Sequence, residues 1–315
     1  MKKISICIPT YSRLNYLIEL VNSCLNQSYS DYEICISQDC TPKGLVQEIK
    51  EYCEYLVSKY PYIVRYVAQD KNLGIAGNWN FLVEMANGEY IFMPGDDDLI
   101  APDFLEKMLA PPNLSADVIF CDQIFIDSNG EKLVDITIEL NYIYKRDILL
   151  SGIVKEPVKR VLQNSIPMSS AIIKRICFLT LSFDNRINTP ELEVFLKIAL
   201  GGGKFIFVNE QLAFYRMHQG SATSSGLSIG QFLSNIMDIE IPEEYFSDKY
   251  KLIINAIVPG INNALSNGNV EVAKKLYNSE FYPRKNVTIR ILQGLLLLFP
   301  NYISKFILDY RKSYL

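Results

Sequence analysis

The sequence predicts an α/β fold, a mostly parallel sheet flanked by helices, with a helical C-terminal extension. Three observations predict it. In the first half, short β-rich apolar runs alternate with segments of helical period, the pattern of a parallel sheet covered by helices. Each of those apolar runs leads into a polar, turn-rich stretch, as happens where parallel strands deliver their carboxyl ends to one edge of a sheet. At 315 residues, with 49% hydrophobic and 21% charged, the chain can bury one large α/β core with an appendage, or two ordinary ones.

The elements follow in order. Strands are predicted at 3–8, 32–37, 63–67, 89–93 and 118–120, and helices at 14–26, 43–59 and 76–86, the second carrying Leu45, Ile49, Tyr52 and Leu56 at helical spacing. The polar stretches are 9–13, 38–42, 68–74 and 94–98, where any ligand of an open parallel sheet is expected. Beyond residue 120 the pattern loosens. Asp127-Ser128-Asn129-Gly130 reads as a hairpin turn, 169–174 as a strand, 191–200 as a helix ended by Gly201-Gly202-Gly203, and 204–208 and 212–217 as two further strands. This divides the chain into an α/β domain over 1–220, a Ser/Gly-rich loop or linker over 221–230, and a helical region over 231–315.

Composition removes several functions. A formal charge of −4 argues against a polyanion-binding surface, so no nucleic-acid partner is expected. With one histidine, no site in the chain can hold two imidazole ligands. The first strand is followed by Pro9-Thr10-Tyr11-Ser12-Arg13 and not by the Gly-x-Gly-x-x-Gly turn of a dinucleotide-binding dehydrogenase. The seven cysteines form no Cys-x-x-Cys pair and read as buried thiols. The apolar run at 4–8 stops at Pro9, and the longest one, 295–299, is far short of the roughly 20 residues that span a bilayer. A cytoplasmic, reducing location is the expectation.

The sharpest local feature is Asp96-Asp97-Asp98, directly after the strand at 89–93. Adjacent carboxylates repel unless a cation or hydrogen-bond donors compensate, which suits an oxygen-liganded divalent metal. Taken alone, a helix cap at Asp98 with two solvated neighbours fits as well, although capping accounts for one aspartate only.

Five elements in order resemble family-2 glycosyltransferases of the GT-A fold: Ile8-Pro9-Thr10-Tyr11-Ser12-Arg13, Asp39 with Thr41, Asn72-Leu73-Gly74 with Gly77-Asn78, Gly88-Glu89-Tyr90-Ile91 leading into the acidic triplet with Pro102 beyond, and a helix around Glu191 preceding Leu212-Ala213-Phe214-Tyr215-Arg216-Met217-His218. The resemblance covers about 1–220 and makes that stretch a nucleotide-diphospho-sugar transferase domain with a Rossmann-like sheet. It implies that Pro9, Thr10, Tyr11, Arg13, Asp39, Asn72, Gly74, Asn78, Asp96 and Arg216 bind the donor, with Asp39 on the base, Asp96 near the ribose and Arg216 a fixed charge for phosphate. Asp97, supported by Asp98, and His218 would hold Mn²⁺ or Mg²⁺, which neutralises the departing diphosphate. Glu191, with Glu193 as the fallback, would be the base that deprotonates the acceptor hydroxyl during inversion. The implied activity is metal-dependent, inverting transfer from a nucleoside-diphosphate sugar to a glycan or lipid-linked glycan, in capsule or O-antigen assembly.

Three positions depart from the family pattern: Gln38 and Pro190 stand where an acid is usual, and Gly95 replaces the first acid of the triad. A catalytically degenerate nucleotide-sugar-binding or scaffold module is therefore the alternative reading.

Residues 281–315 carry a net charge of +5, leaving −9 on the rest of the chain. Their apolar residues recur at near-helical spacing on both sides of Pro300. Two readings fit: a basic amphipathic segment lying on an anionic membrane surface, which would make the protein peripheral on the cytoplasmic face of the inner membrane, or a helix pair packed on the catalytic domain.

Overall fold

The computed structural model describes residues 3–187, 189–219, 228–283 and 287–312. The chain forms two compact units, one of Met1–Asn185 and Val194–Ser225, the other of Arg186–Glu193 and Gly226–Leu315. The loop at 220–227 lies outside the described residues.

The first unit is built on one sheet. Its strands are β1 (Ile4–Thr10), β2 (Tyr32–Gln38), β3 (Val64–Ala68), β4 (Tyr90–Phe92), β5 (Leu99–Ile100), β6 (Val118–Ile126), β7 (Gly152–Ile153), β8 (Ala171–Lys174) and β9 (Phe205–Arg216). The spatial order is β3-β2-β1-β4-β8-β6-β9-β5, with β7 on β9. β1, β2, β3 and β4 run parallel, with Ile6 opposite both Ile34 and Phe92. β8 is antiparallel to both β4 and β6, and β9 is parallel to β6, so β9 ends on the same edge as β1 and β4. That geometry collects four chain segments at one place: Thr10 to Arg13, Asp39, Asp96 to Asp98, and Arg216 to His218.

The helices of this unit are α1 (Leu14–Leu25), α2 (Gln47–Lys59), α3 (Gly74–Met85), α4 (Phe104–Met108), α5 (Val134–Ile143), α6 (Pro157–Leu162) and most of α7 (Glu191–Leu200). In α1, Leu17, Leu20, Val21 and Cys24 fall on one stripe and are buried against the sheet. Ile4, Ile6 and Ile8 of β1 are fully buried, as expected of a central parallel strand covered on both faces. All seven cysteines are unpaired, and five of them, Cys7, Cys24, Cys35, Cys53 and Cys121, are buried.

Beyond residue 120 the structure adds α5, α6 and β7 to the expected elements, places Arg186–Glu193 in the second unit, and joins two expected strands. The two strands expected at 204–208 and 212–217 are one strand, β9. Val208 pairs with Cys121 and Gln211 with Asp122, so the intervening residues bulge out of the ladder without ending it. The turn at Asp127 to Gly130 forms as expected, with the Gly130 N–H donating to the Asp127 carbonyl at 3.1 Å.

The second unit is helical: α8 (Ile229–Asp238), α9 (Phe246–Ser266), α10 (Val270–Tyr277), α11 (Val287–Leu298) and α12 (Asn301–Lys312). α8 and α10 pack on α9, and α11 and α12 are laid over this core. Among the described residues no helix is long and apolar enough to cross a membrane.

Candidate active site

The loop after β2 and the start of α3 are held together by Asp39. Its Oδ1 accepts the N–H groups of Cys40 at 2.9 Å and Leu73 at 2.8 Å, and its Oδ2 accepts that of Gly74 at 3.0 Å. Asn72 completes the turn, donating to the Cys40 carbonyl and accepting from Gly74. Asp39, expected on the donor's base, is thus 4% exposed and engaged with backbone, shaping the loop that would frame a base. Asn78 is buried nearby on α3; its Nδ2 donates to the Ser37 carbonyl, and its Oδ1 is buried with no partner among the described residues. Pro9 is partly buried at the end of β1, and Tyr11 beside it is 38% exposed.

The acidic loop after β4 is the electrostatic centre. Asp96, Asp97 and Asp98 are all buried. Asp96 accepts from Thr10 Oγ1 at 2.8 Å and forms an ion pair with Arg13 Nη2. Asp97 Oδ2 lies 2.7 Å from Arg13 Nη1 and 2.8 Å from His218 Nε2, so one carboxylate oxygen faces two cationic or donor groups from opposite ends of the domain sequence. Tyr16 of α1 packs on the imidazole with ring centroids 5.0 Å apart. Burial pushes the Asp96 carboxyl up even against the pull of Arg13, and burial together with the charge of Asp97 pushes Asp98 well above the usual carboxylate range. Three carboxyls thus crowd one loop, with Arg13 and His218 in direct contact with it.

The expected metal trio Asp97, Asp98 and His218 does not converge as three donors; among the described residues no three such side chains do. Asp97 and His218 meet, while Asp98 turns to backbone: Oδ1 accepts from the Arg216 N–H at 3.1 Å and Oδ2 from Gly95 at 3.2 Å. A Cβ on Gly95 would sit 2.6 Å from Asp97 Oδ1 and 3.1 Å from Asp98 Oδ2, so a side chain there would have to displace these two carboxylates. Asp97 and His218 offer oxygen and nitrogen donors of the kind that would suit a divalent cation such as Mn²⁺ or Mg²⁺.

Arg216 requires a correction. Expected on the donor phosphates, it is instead wholly buried, with its side chain 0% exposed. Its Nε donates to the Asp97 carbonyl at 2.8 Å, Nη1 to the Ser128 carbonyl at 3.2 Å, and Nη2 to Glu19 Oε2 at 2.6 Å, while its guanidinium lies over the Tyr16 ring. Every nitrogen is occupied. The side chain fastens the acidic loop, the Asp127–Gly130 turn and α1 to the end of β9, and has nothing left for a ligand.

Glu191 opens α7 immediately after Pro190, a residue suited to a helix start. Burial raises its carboxyl from 4.5 to about 7, and its Oε2 is buried with no hydrogen-bond partner among the described residues. The residue as a whole is only half-buried; its carboxyl end is the enclosed part. Glu193 differs: its Oε2 accepts from Asn235 Nδ2 at 2.9 Å.

Two residues of this site were invisible in the sequence. Tyr16 and Glu19 lie one turn apart on α1, off its buried stripe, and their only sequence signal is that spacing. Further along, Arg146 is 4% exposed near Asp122, with its Nε and Nη1 lacking hydrogen bonds; it falls in the stretch where the strand pattern loosens.

The sheet order and the carboxylate-rich loop at the carboxyl ends of its strands define a GT-A type α/β fold. Residues 5–157 match the family described as glycosyl transferase family 2. It is 37% identical over 122 residues to abequosyltransferase RfbV of Salmonella typhimurium, a match covering 38% of this chain and 35% of RfbV. The first curated relatives are thus matched over only about a third of their own length. Among solved structures, TarS 1–349 of S. aureus in complex with UDP-GlcNAc superimposes with a TM-score of 0.65 at 16% identity, covering 99% of this chain and 92% of that one. Mannosyltransferase PcManGT from Pyrobaculum calidifontis, in complex with GDP-Man and Mn²⁺, gives 0.60 at 14% identity, covering 98% and 84%.

Proposed function

We propose that this chain is an inverting glycosyltransferase that moves a sugar from a nucleoside-diphosphate donor to a hydroxyl of a glycan or lipid-linked glycan in surface-polysaccharide assembly. The observation that carries this is the meeting of Asp96, Asp97, Arg13 and His218 at the carboxyl ends of parallel strands in a family-2 domain. The UDP-GlcNAc, GDP-Man and Mn²⁺ in the two structural neighbours support a nucleotide-sugar donor and a divalent metal.

In this reading Pro9, Thr10 and Tyr11, with the turn held by Asp39, Asn72 and Gly74, frame the nucleoside, and Asp96 meets the ribose. Asp97 and His218 hold the metal, whose chemistry is to neutralise the charge gathering on the leaving diphosphate. Arg13 supplies fixed positive charge beside the same oxygens. Asp98 and Arg216 do not touch donor; they set the position of Asp97 through its backbone and its neighbour. Glu191 takes the proton of the acceptor hydroxyl as that oxygen bonds to the anomeric carbon. The bond from that carbon to the diphosphate oxygen breaks on the opposite face, and its electron pair leaves with the diphosphate. A base whose carboxyl titrates at about 7 is half-ionised at neutral pH, the compromise between being deprotonated and being basic enough to accept a proton.

The test is a panel of nucleotide sugars screened by thermal shift with Mn²⁺ and with chelator, followed by detection of free nucleoside diphosphate on adding acceptor. Metal-dependent stabilisation by one donor family with nucleotide release supports the reading. Stabilisation without release under any acceptor would support the degenerate module, and no stabilisation at all would refute donor binding.

A further inference from the structure

The terminal helices carry their polarity inside out. In α11, Gln293 is the residue turned inward: it is 2% exposed, its Nε2 donates to the Val258 carbonyl at 3.0 Å and to Asn262 Oδ1 at 2.8 Å, and its Oε1 accepts from Tyr282 Oη at 2.7 Å. In α12, Ser304 is buried and donates to the Leu296 carbonyl at 2.6 Å. Most of the large apolar residues face out, Leu308 of α12 being the buried exception. Val287, Ile291, Leu292, Leu295, Leu298 and Phe306 are between 48% and 82% exposed. A continuous exposed strip of large aliphatic and aromatic side chains is not what a monomeric surface ordinarily presents. Packing of α11 on α9 and α10 is completed by the polar side, so intramolecular docking leaves this strip uncovered.

Within 281–308 the charges have one sign, with Asp309 following on α12 and Lys274 of α10 paired with Glu271 at 3.3 Å. From 281 to 308 the sequence has no aspartate or glutamate, and Arg290 and Lys305 are exposed within it. Beside it, α10 and α11 enclose an open groove of about 460 Å³, apolar along Ile291, Leu295 and Leu298, with Lys274 in its lining. Gly294 permits this close pairing: a Cβ there would stand 2.7 Å from Tyr277 Oη. Apolar side chains outward, basic groups among them and no acid is the combination that suits a lipid surface with anionic headgroups, where apolar side chains enter the acyl boundary and cations meet phosphates.

We propose that α11 and α12 dock this protein on an anionic lipid bilayer, lying in its surface without crossing it, with the Val287–Leu298 strip inserted and Arg290, Lys305 and Lys274 at headgroup level. This goes beyond the proposed transfer reaction and does not depend on it.

The test uses the full chain and sedimentation with vesicles of phosphatidylglycerol and phosphatidylcholine in equal parts, or of phosphatidylcholine alone. Wild type is expected to partition at least ~10-fold more strongly to the anionic vesicles, with the advantage lost in high salt. The variant Leu292→Glu/Leu295→Glu, altered only at exposed positions, should lose most of that binding while keeping the wild-type circular dichroism and melting temperature. Arg290→Glu/Lys305→Glu should lose the preference for anionic vesicles. Equal sedimentation of wild type and the Leu292→Glu/Leu295→Glu variant would overturn the proposal. So would a wild-type dimer, in vesicle-free solution, that ignores vesicles and dissociates in that variant, because a second copy would then be what covers the strip.

Discussion

Replacing Glu191 by glutamine separates stability from chemistry in opposite directions. The carboxyl is enclosed, its Oε2 without a hydrogen-bond partner, and it is raised from 4.5 to about 7, burial being the main cause. A raised carboxyl binds its proton more tightly in the folded than in the unfolded chain. Its favourable contribution is therefore complete below about pH 4.5, declines as pH rises, and is gone once pH passes about 7. Two and a half pKa units correspond to about 3 kcal/mol, an upper scale because the residue is only half-buried overall. Glutamine keeps the shape and never ionises. The Glu191→Gln variant should thus differ little from wild type near the acid end and become more stable than it by up to about 3 kcal/mol above neutral pH. Urea unfolding of both proteins across that range measures the difference. Transfer should fall by about 10²–10⁴-fold in the same variant, and wild-type kcat/KM should lose about tenfold per pH unit below neutrality. A stability difference that stays constant with pH would show that the carboxyl is not buried in ionised form, and unimpaired transfer would remove it from the mechanism.

Asp97→Asn and His218→Asn should each abolish the Mn²⁺-dependent part of nucleotide stabilisation in thermal shift, and the double variant should do no worse than either single, since both act through one contact of 2.8 Å. Arg13→Gln removes the guanidinium that now occupies Asp97 Oδ2; Mn²⁺ alone, followed by the loss of its free paramagnetic resonance signal, should bind this variant more tightly than wild type, and unchanged binding would show that Arg13 does not compete for that oxygen. Arg216→Lys cannot reproduce three side-chain hydrogen-bond directions in a closed space and should cost about 3 kcal/mol or more in chemical unfolding, whereas a ligand-facing arginine would have tolerated the change in stability and lost only donor affinity.

The alternation of elements in the first half was legible because two periodicities, 2 and 3.6, leave different marks, and because buried parallel strands such as β1 read as continuous apolar runs. That the polar loops gather at one edge was legible for the same reason, since strand ends of a parallel sheet share it. What stayed hidden was direction. An arginine at the end of a strand has the same letter whether it points at a phosphate or holds a loop from behind, and only the enclosing partners Glu19, Ser128 and Asp97 distinguish the two. The run at 295–299 shows the same ambiguity: apolar spacing predicts a helix, but which face turns inward was decided by Gln293 and its three partners.

The three departures from the family pattern bear on whether the site is built for use or decayed. Two have visible causes. Gly95 leaves the space that the Asp97 and Asp98 carboxylates fill, so an acid there and this packing of the loop exclude each other. Gln38 is buried at the end of β2, donating to the Val46 carbonyl at 2.8 Å and accepting from Tyr66 Oη at 2.5 Å, which ties β2 to the entry of α2 and to β3. Pro190 sits where a proline is tolerated and the helix that carries Glu191 begins directly after it. Decay would leave carboxylates solvated or replaced by neutral residues, because a buried unpaired charge is costly once nothing selects for it. Instead the chain keeps three buried aspartates in one loop and a glutamate with an enclosed carboxyl end at the head of α7, with Gly95 and Gln38 fitted to their surroundings. Retaining that much buried acid costs stability, and in the proposed reaction the cost would be offset by a ligand that brings positive charge to one carboxylate and a proton to the other.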